Sequence, residues 1–156
     1  HRVEIQGETR PIITQDELDN LSIRKGTLTD DERSIIQNHA AVSVKILSQL
    51  PFSKSLRHVP EYAGGHHEKL NGEGYPQGLT EEQLPLQARI LAVADVFEAL
   101  TAPDRPYRAP MPLAKAMEIL GFMVKDGELD GRIVDLFERS GVMRSYAEAE
   151  LKSDQY

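Results

Sequence analysis

His66-His67-Glu68-Lys69-Leu70-Asn71-Gly72-Glu73-Gly74-Tyr75-Pro76 is the stretch on which the reading of the chain turns. Two adjacent imidazoles precede a run, Asn71 to Gly78, that holds three glycines and a proline and must be a loop. Pro60 suits the first position of a helix, which is expected over Glu61 to about Glu68 and would carry the pair. Adjacent side chains on a helix point about 100° apart, so the two rings would serve two neighbouring metal ions more readily than they would chelate one. Glycines directly beyond them let the backbone come close to a ligand. Taken alone, the same residues also describe a surface histidine pair before a turn.

Outward from this stretch the chain reads as helices. Thr14 with Glu17, Thr29 with Glu32 and Thr80 with Gln83 each pair a hydroxyl with an acid or amide three residues on, the pattern of a capping box, and a helix is expected after each. The second helix is the longest, from Asp30 to about Leu50, ending before Pro51. Ile35, Ile36, Val42, Ile46, Leu47 and Leu50 give it an apolar stripe at helical spacing, expected to be buried. His39 lies on or beside that stripe, where a polar ring needs a partner. Leu86 to about Ala102 forms another amphipathic helix through Ile90, Val93, Ala94, Phe97 and Leu100, stopped by Pro103. Further helices are expected over Leu113 to Val124, Gly131 to Arg139 and Arg144 to Leu151. His1 to Arg10 shows only weak alternation, so residues 1–13 read as an irregular or strand-like opening segment. One all-α domain over residues 1–156 is the economical reading.

Composition bounds the chemistry. The chain has no cysteine, so disulfides, zinc fingers and thiol nucleophiles are excluded, and any metal must be held by His, Asp or Glu. A formal charge of -7 argues against a broad surface for a nucleic-acid polymer, which would need a basic face. A phosphate-bearing substrate would instead require metal ions and a few local cations to overcome the acidic background. No apolar run approaches the roughly 20 residues that cross a bilayer, so the chain reads as soluble.

Asp95 sits within the apolar run Leu91 to Phe97, where a buried carboxylate costs several kcal/mol unless a cation or hydrogen bonds compensate. Pairing with Arg105 or Arg108 would supply that without any catalytic role. Those two arginines, in Asp104-Arg105-Pro106-Tyr107-Arg108, are of the type that clamps phosphate by planar, bidentate hydrogen bonds, and equally of the type that forms a helix-end charge pair.

Taken together, the run from His66 to Arg108 resembles the HD-GYP family. The resemblance rests on His66-His67-Glu68, on Gly72-Glu73-Gly74-Tyr75-Pro76 with Gly78-Leu79 behind it, on Ala88-Arg89-Ile90, on Val93-Ala94-Asp95-Val96-Phe97 and on Arg105-Pro106-Tyr107-Arg108. Upstream, Lys25-Gly26-Thr27-Leu28-Thr29, Glu32 and His39 fit the same pattern. The resemblance implies an all-α, HD-domain-like helical bundle that binds two or more divalent metal ions, iron or manganese foremost and zinc also, and hydrolyses cyclic dinucleotides, chiefly cyclic di-GMP, in bacterial second-messenger signalling. Carried over by position, it implies that His39, His66, His67 and Asp95 are metal ligands, with no catalytic residue beyond them. Gly72, Gly74, Tyr75 and Pro76 would shape the substrate pocket, and Arg105 would be a structural or phosphate-facing contact. A cytoplasmic location follows, with a diguanylate cyclase or a regulatory domain as further partners.

The chain departs from the family in two places. No His-Asp dipeptide occurs in it, although the family carries one upstream of the Lys-Gly-x-Leu-Thr segment as central metal ligands. The site is therefore expected to be incomplete on its N-terminal side, and this chain alone to be inactive. Either it is the C-terminal portion of a longer phosphodiesterase, or it is a degenerate module that senses a nucleotide or binds a protein without turnover. Asn71 stands where the family has Asp, which removes a charge beside the loop.

Overall fold

Proline sets several helix starts in the computed structural model, because a residue with no N–H and a fixed φ is accommodated at or just before a first turn. In chain order the elements are β1 (Arg2–Ile5), β2 (Glu8–Pro11), α1 (Gln15–Leu21), α2 (Asp30–Leu47), α3 (Val59–Gly64), α4 (Leu86–Thr101), α5 (Leu113–Lys125), α6 (Gly131–Arg139) and α7 (Val142–Glu150). Pro60 stands in the first turn of α3, and Pro85 and Pro112 are the N-caps of α4 and α5. The structure describes residues 2–5, 8–23, 28–102, 110–153 and 155, so Arg105 and Arg108 lie outside the described residues. Packing divides the chain into two units, His1–His39 and Ala40–Tyr156, and the division falls inside α2.

In the first unit the opening segment is a regular antiparallel hairpin, with Arg2 opposite Pro11 and Ile5 opposite Glu8. Helix α1 starts on the expected capping box: the Glu17 N–H donates to Thr14 Oγ1 at 3.2 Å and the Thr14 N–H donates to the Glu17 carboxylate at 2.8 Å. Thr29 and Glu32 make the same reciprocal pair at the start of α2, at 3.3 and 2.9 Å. Each box satisfies backbone donors that the first turn of a helix leaves without partners.

In the second unit α4 is the centre, packed against α3, α5 and α6, while α6 also packs on α7. Val93, Phe97 and Leu100 of α4 meet Ala116 and Leu120 of α5 and Ile133 and Val134 of α6. Phe97 takes Phe137 and Tyr146 edge-on, with ring centroids 4.8 and 5.6 Å apart, the arrangement that aromatic quadrupoles prefer. Buried Gln155 ties the far end of the chain to this core: its amide donates to the carbonyls of Thr101 and Met111, and its own carbonyl accepts from the Leu113 N–H.

Three expectations about these helices are corrected. The stripe on α2 is not a buried face: Ile35, Ile36, Val42, Ile46 and Leu50 are all exposed, Leu47 is half-buried, and Ala40 is the helix's buried residue among those described. On α4 the buried set is Ala88, Ala92, Val93, Phe97, Leu100 and Thr101, while Ile90 and Ala94 face out. No long helix follows Thr80. Gln83 does accept from the Thr80 N–H and hydroxyl, at 3.0 and 3.1 Å, but only one turn forms before Pro85, whose ring cannot extend a helix.

Arg89, in the first turns of α4, and Asp130, the N-cap of α6, form a polar clasp between those helices. The Arg89 guanidinium donates to Asp130 at 3.2 Å and to both the side chain and the backbone carbonyl of Glu81. Asp130 also accepts from the backbone N–H and guanidinium of Arg132, and these hydrogen bonds, Arg132 first and then Arg89, outweigh burial and hold its carboxyl down at about 2. A carboxyl depressed in the folded state stabilises it above the unfolded value near 3.8, and that contribution is lost as pH falls toward 2. The loss should amount to about 2 kcal/mol. Thermal melts at successive pH values check this: Asp130→Asn should flatten the acid limb between those two pH values.

Candidate metal centre

Gly64 and Gly65 decide where the histidine pair sits. A Cβ on Gly64 would press on the Val44 side chain of α2, and one on Gly65 would meet Ala88 of α4 within 3.0 Å. Glycine at both positions lets α3 lie close to its neighbours, and the helix ends at Gly64. His66 and His67 therefore occupy the turn just past α3 and not the helix expected to reach Glu68. The turn brings the two rings together instead of splaying them, with centroids 4.0 Å apart and a tilt of 40°.

The His66 Nδ1 lies 2.6 Å from the Ala63 carbonyl. His39, on α2, has its Nδ1 2.7 Å from the Ile36 carbonyl. A carbonyl can only accept, so each neutral ring carries its proton on Nδ1 and its lone pair on Nε2, the form in which imidazole ligates a metal with its other nitrogen oriented by the backbone. His39 is exposed and not part of a buried face; it immediately precedes Ala40 on the uninterrupted α2. Within the second unit, one ligand nitrogen of His66 lies within 4.8 Å of one of His67.

Asp95 faces the pair from the middle of α4, its Oδ2 3.8 Å from His67 Nδ1, too long for a hydrogen bond. Its side chain is 41% exposed, so the expected cost of burying a carboxylate does not arise. Helical geometry turns Val93 and Phe97 into the core and leaves Asp95 at the rim. Tyr75 stacks on His67, centroids 4.8 Å apart, and its N–H donates to the His67 carbonyl at 3.2 Å. Burial first, and then the negative charge of Asp95, push the Tyr75 phenol above its ordinary range, so near neutrality it is an O–H donor. Gly72 and Gly78, both at positive φ, make the bends that return the loop to this position.

Imidazole nitrogens with a nearby carboxylate oxygen form a donor set suited to iron, manganese or zinc, so these residues fit a divalent transition metal. A cavity of about 1070 Å³ in the first unit has Asp16, Asp19, Asp30, Asp31 and Glu32 among its lining residues. Its charge is the wrong sign for a phosphodiester.

The profile described as HD domain matches residues 15–133, more than half of the chain. The chain belongs to the HD domain family. Its His66-His67-Glu68 and Gly74-Tyr75-Pro76 motifs are those of the HD-GYP group, and its relatives agree. It is 43% identical to 3'3'-cGAMP-specific phosphodiesterase 1 of Vibrio cholerae over 75% of this chain and 26% of that protein. It is 44% identical to 3'3'-cGAMP-specific phosphodiesterase 3 of the same organism over 62% of this chain and 20% of that protein. It is 40% identical to a cyclic di-GMP phosphodiesterase of Thermotoga maritima over 63% of this chain and 26% of that protein. The chain thus spans about a quarter of the length of these relatives. The fold class is all-α, as expected, with the short hairpin as an addition in the first unit. The HD domain family is metal-dependent, and this HD domain carries a histidine cluster able to hold an ion. No helix among the described residues is long and apolar enough to cross a membrane.

In the sequence Glu68 stands out only as the third residue of His66-His67-Glu68. In the fold it is 3% exposed and both its oxygens are engaged. Nothing in a single sequence distinguishes such a carboxylate from a solvated one. Arg89 likewise matched the family without a role, and the clasp to Asp130 supplies a structural one.

Proposed function

We propose that this HD domain is part of a metal-dependent phosphodiesterase that hydrolyses cyclic dinucleotides in cytoplasmic second-messenger signalling. The observation that carries the reading is the approach of His66, His67 and Asp95 beneath the Tyr75 ring, in a chain whose relatives are named as cyclic di-GMP and 3'3'-cGAMP phosphodiesterases. His39, His66, His67 and Asp95 hold the divalent metal ions, two or more of them, iron or manganese ahead of zinc. When bound, such ions supply neutralisation of phosphodiester charge and activation of a water nucleophile. The backbone carbonyls of Ile36 and Ala63 keep two of the imidazoles in the ligating tautomer. Tyr75 offers a phenol O–H to a phosphate or base edge, and Gly72, Gly74 and Pro76 give the loop that presents it. Arg105, outside the described residues, is the candidate cation for a phosphate or a structural contact in a chain of net charge -7. A cyclase or a regulatory domain is a further partner.

The test uses the full-length protein that carries this chain, loaded with manganese or iron and given cyclic di-GMP and 3'3'-cGAMP separately. The expected result is a linear dinucleotide, resolved by chromatography. Binding with no product under either metal would support the second reading, a nucleotide-sensing or protein-binding module, which a full-length sequence lacking a His-Asp dipeptide would favour. Neither binding nor product would overturn both.

A further inference from the structure

The side chain of Glu68 is buried and bonded to its own loop. Its Oε1 accepts the Gln77 N–H at 2.7 Å and its Oε2 accepts the Leu79 N–H at 2.8 Å. Among the described residues no lysine or arginine forms an ion pair with it, so two backbone amides stand where a buried carboxylate would ordinarily have a cation. The loop closes on the same turn from its other limb as well. The Tyr75 N–H donates to the His67 carbonyl, and Gly74 lies so near the Glu68 and Lys69 backbone that no side chain fits there. The loop's base is pinned separately: Lys69 pairs with Glu128, and the Leu70 N–H donates to the Glu128 carbonyl.

We propose that Glu68 is a positioning residue: by holding the amides of Gln77 and Leu79 it folds residues 71–79 back and sets the Tyr75 ring against His67. The chemistry requires a carboxylate. Two N–H groups converge on two acceptor oxygens, and glutamine would meet one of them with an NH2, donor against donor. The metal-facing pair and the loop over it are then one unit, because the residue that clamps the loop is covalently next to His67.

The experiment compares wild type, Glu68→Gln and Glu68→Asp. Amide hydrogen exchange at Gln77 and Leu79 is read by NMR, together with through-space contact between the Tyr75 and His67 rings. Losing a hydrogen bond to a charged group should raise exchange about tenfold or more at one or both amides in Glu68→Gln and remove the ring contact. Glu68→Asp, which keeps both oxygens but withdraws them by one methylene, should fold and give intermediate exchange, so the test survives if the glutamine variant does not fold. A third arm rests on the phosphodiesterase reading: affinity for a fluorescent cyclic dinucleotide should fall about tenfold, while manganese affinity, measured by paramagnetic resonance, should change less than about threefold. If wild type binds no nucleotide, that reading fails and the exchange arm still decides this one. Unchanged exchange and a retained Tyr75–His67 contact in Glu68→Gln would overturn the proposal.

Discussion

Replacing Gly74 with alanine is expected to be the most damaging single-methyl change in the loop. The new Cβ would lie closer than 3.0 Å to Lys69 N and to Glu68 Cα and C, all of them backbone atoms that cannot rotate away. The loop must move, and overpacking of this kind costs about 3 kcal/mol. Tyr75 follows Gly74 directly, so the shift would carry its ring off His67. A displacement of about 1 Å at a positioned group costs on the order of 100-fold in turnover, and kcat/KM of the full-length protein should fall by that much. Gly121→Ala is the matched control. A Cβ there meets nothing within 4 Å, and alanine inside α5 should raise stability by about 0.5–1 kcal/mol. Thermal melts of the two variants should therefore move in opposite directions; equal shifts would show that the crowding at Gly74 is relieved without cost.

How much of this could be read in advance depended on whether the deciding interaction was local. Capping boxes are local, and those at Thr14 and Thr29 formed as expected because donor and acceptor lie three residues apart. The start of α4 after Pro85 and the span of α6 were legible for the same reason: proline geometry and the Asp130 cap act within one turn. Thr80 carried an equally good box and failed, because Pro85 overrode it within a turn. Periodicity was a weaker guide. It correctly placed Ile35, Ile36, Val42 and Ile46 together but could not say what covers them, and they are exposed. Asp95 was misjudged in the same way: apolar neighbours in sequence do not make an apolar environment when the helix turns them inward and leaves the carboxylate at the rim. The histidine pair is legible in the sequence as a candidate site, but its geometry depends on how Gly64 and Gly65 pack against Val44 and Ala88. Glu68 lay wholly outside what spacing can reveal, since its partners are amides of a loop whose path only the fold defines.

Asp95→Asn separates a metal ligand from a residue that merely orients His67. The amide has nearly the shape of the carboxylate, and a side chain 41% exposed gives up little on losing its charge, so stability should stay within about 0.5 kcal/mol of wild type. Metal binding should not survive as well. A neutral oxygen is a poor donor to a divalent cation, and changes even to groups that only support the ligands cost about 10–100-fold in affinity, so loss of a ligand itself should reach about 100-fold or more. Manganese titration followed by paramagnetic resonance reads this directly, and turnover of a cyclic dinucleotide by the full-length protein should fall in parallel at limiting metal. The competing role predicts a different pattern. If Asp95 only steers the imidazole 3.8 Å away, asparagine keeps an acceptor oxygen, and affinity should drop only to the lower end of that range, about tenfold. Its position on α4, a helix fixed by the buried contacts of Val93 and Phe97, means that neither outcome can be credited to a collapsed scaffold while the melting temperature holds. Wild-type manganese affinity in Asp95→Asn would remove Asp95 from the ligand set and leave the imidazoles to hold the cation without it.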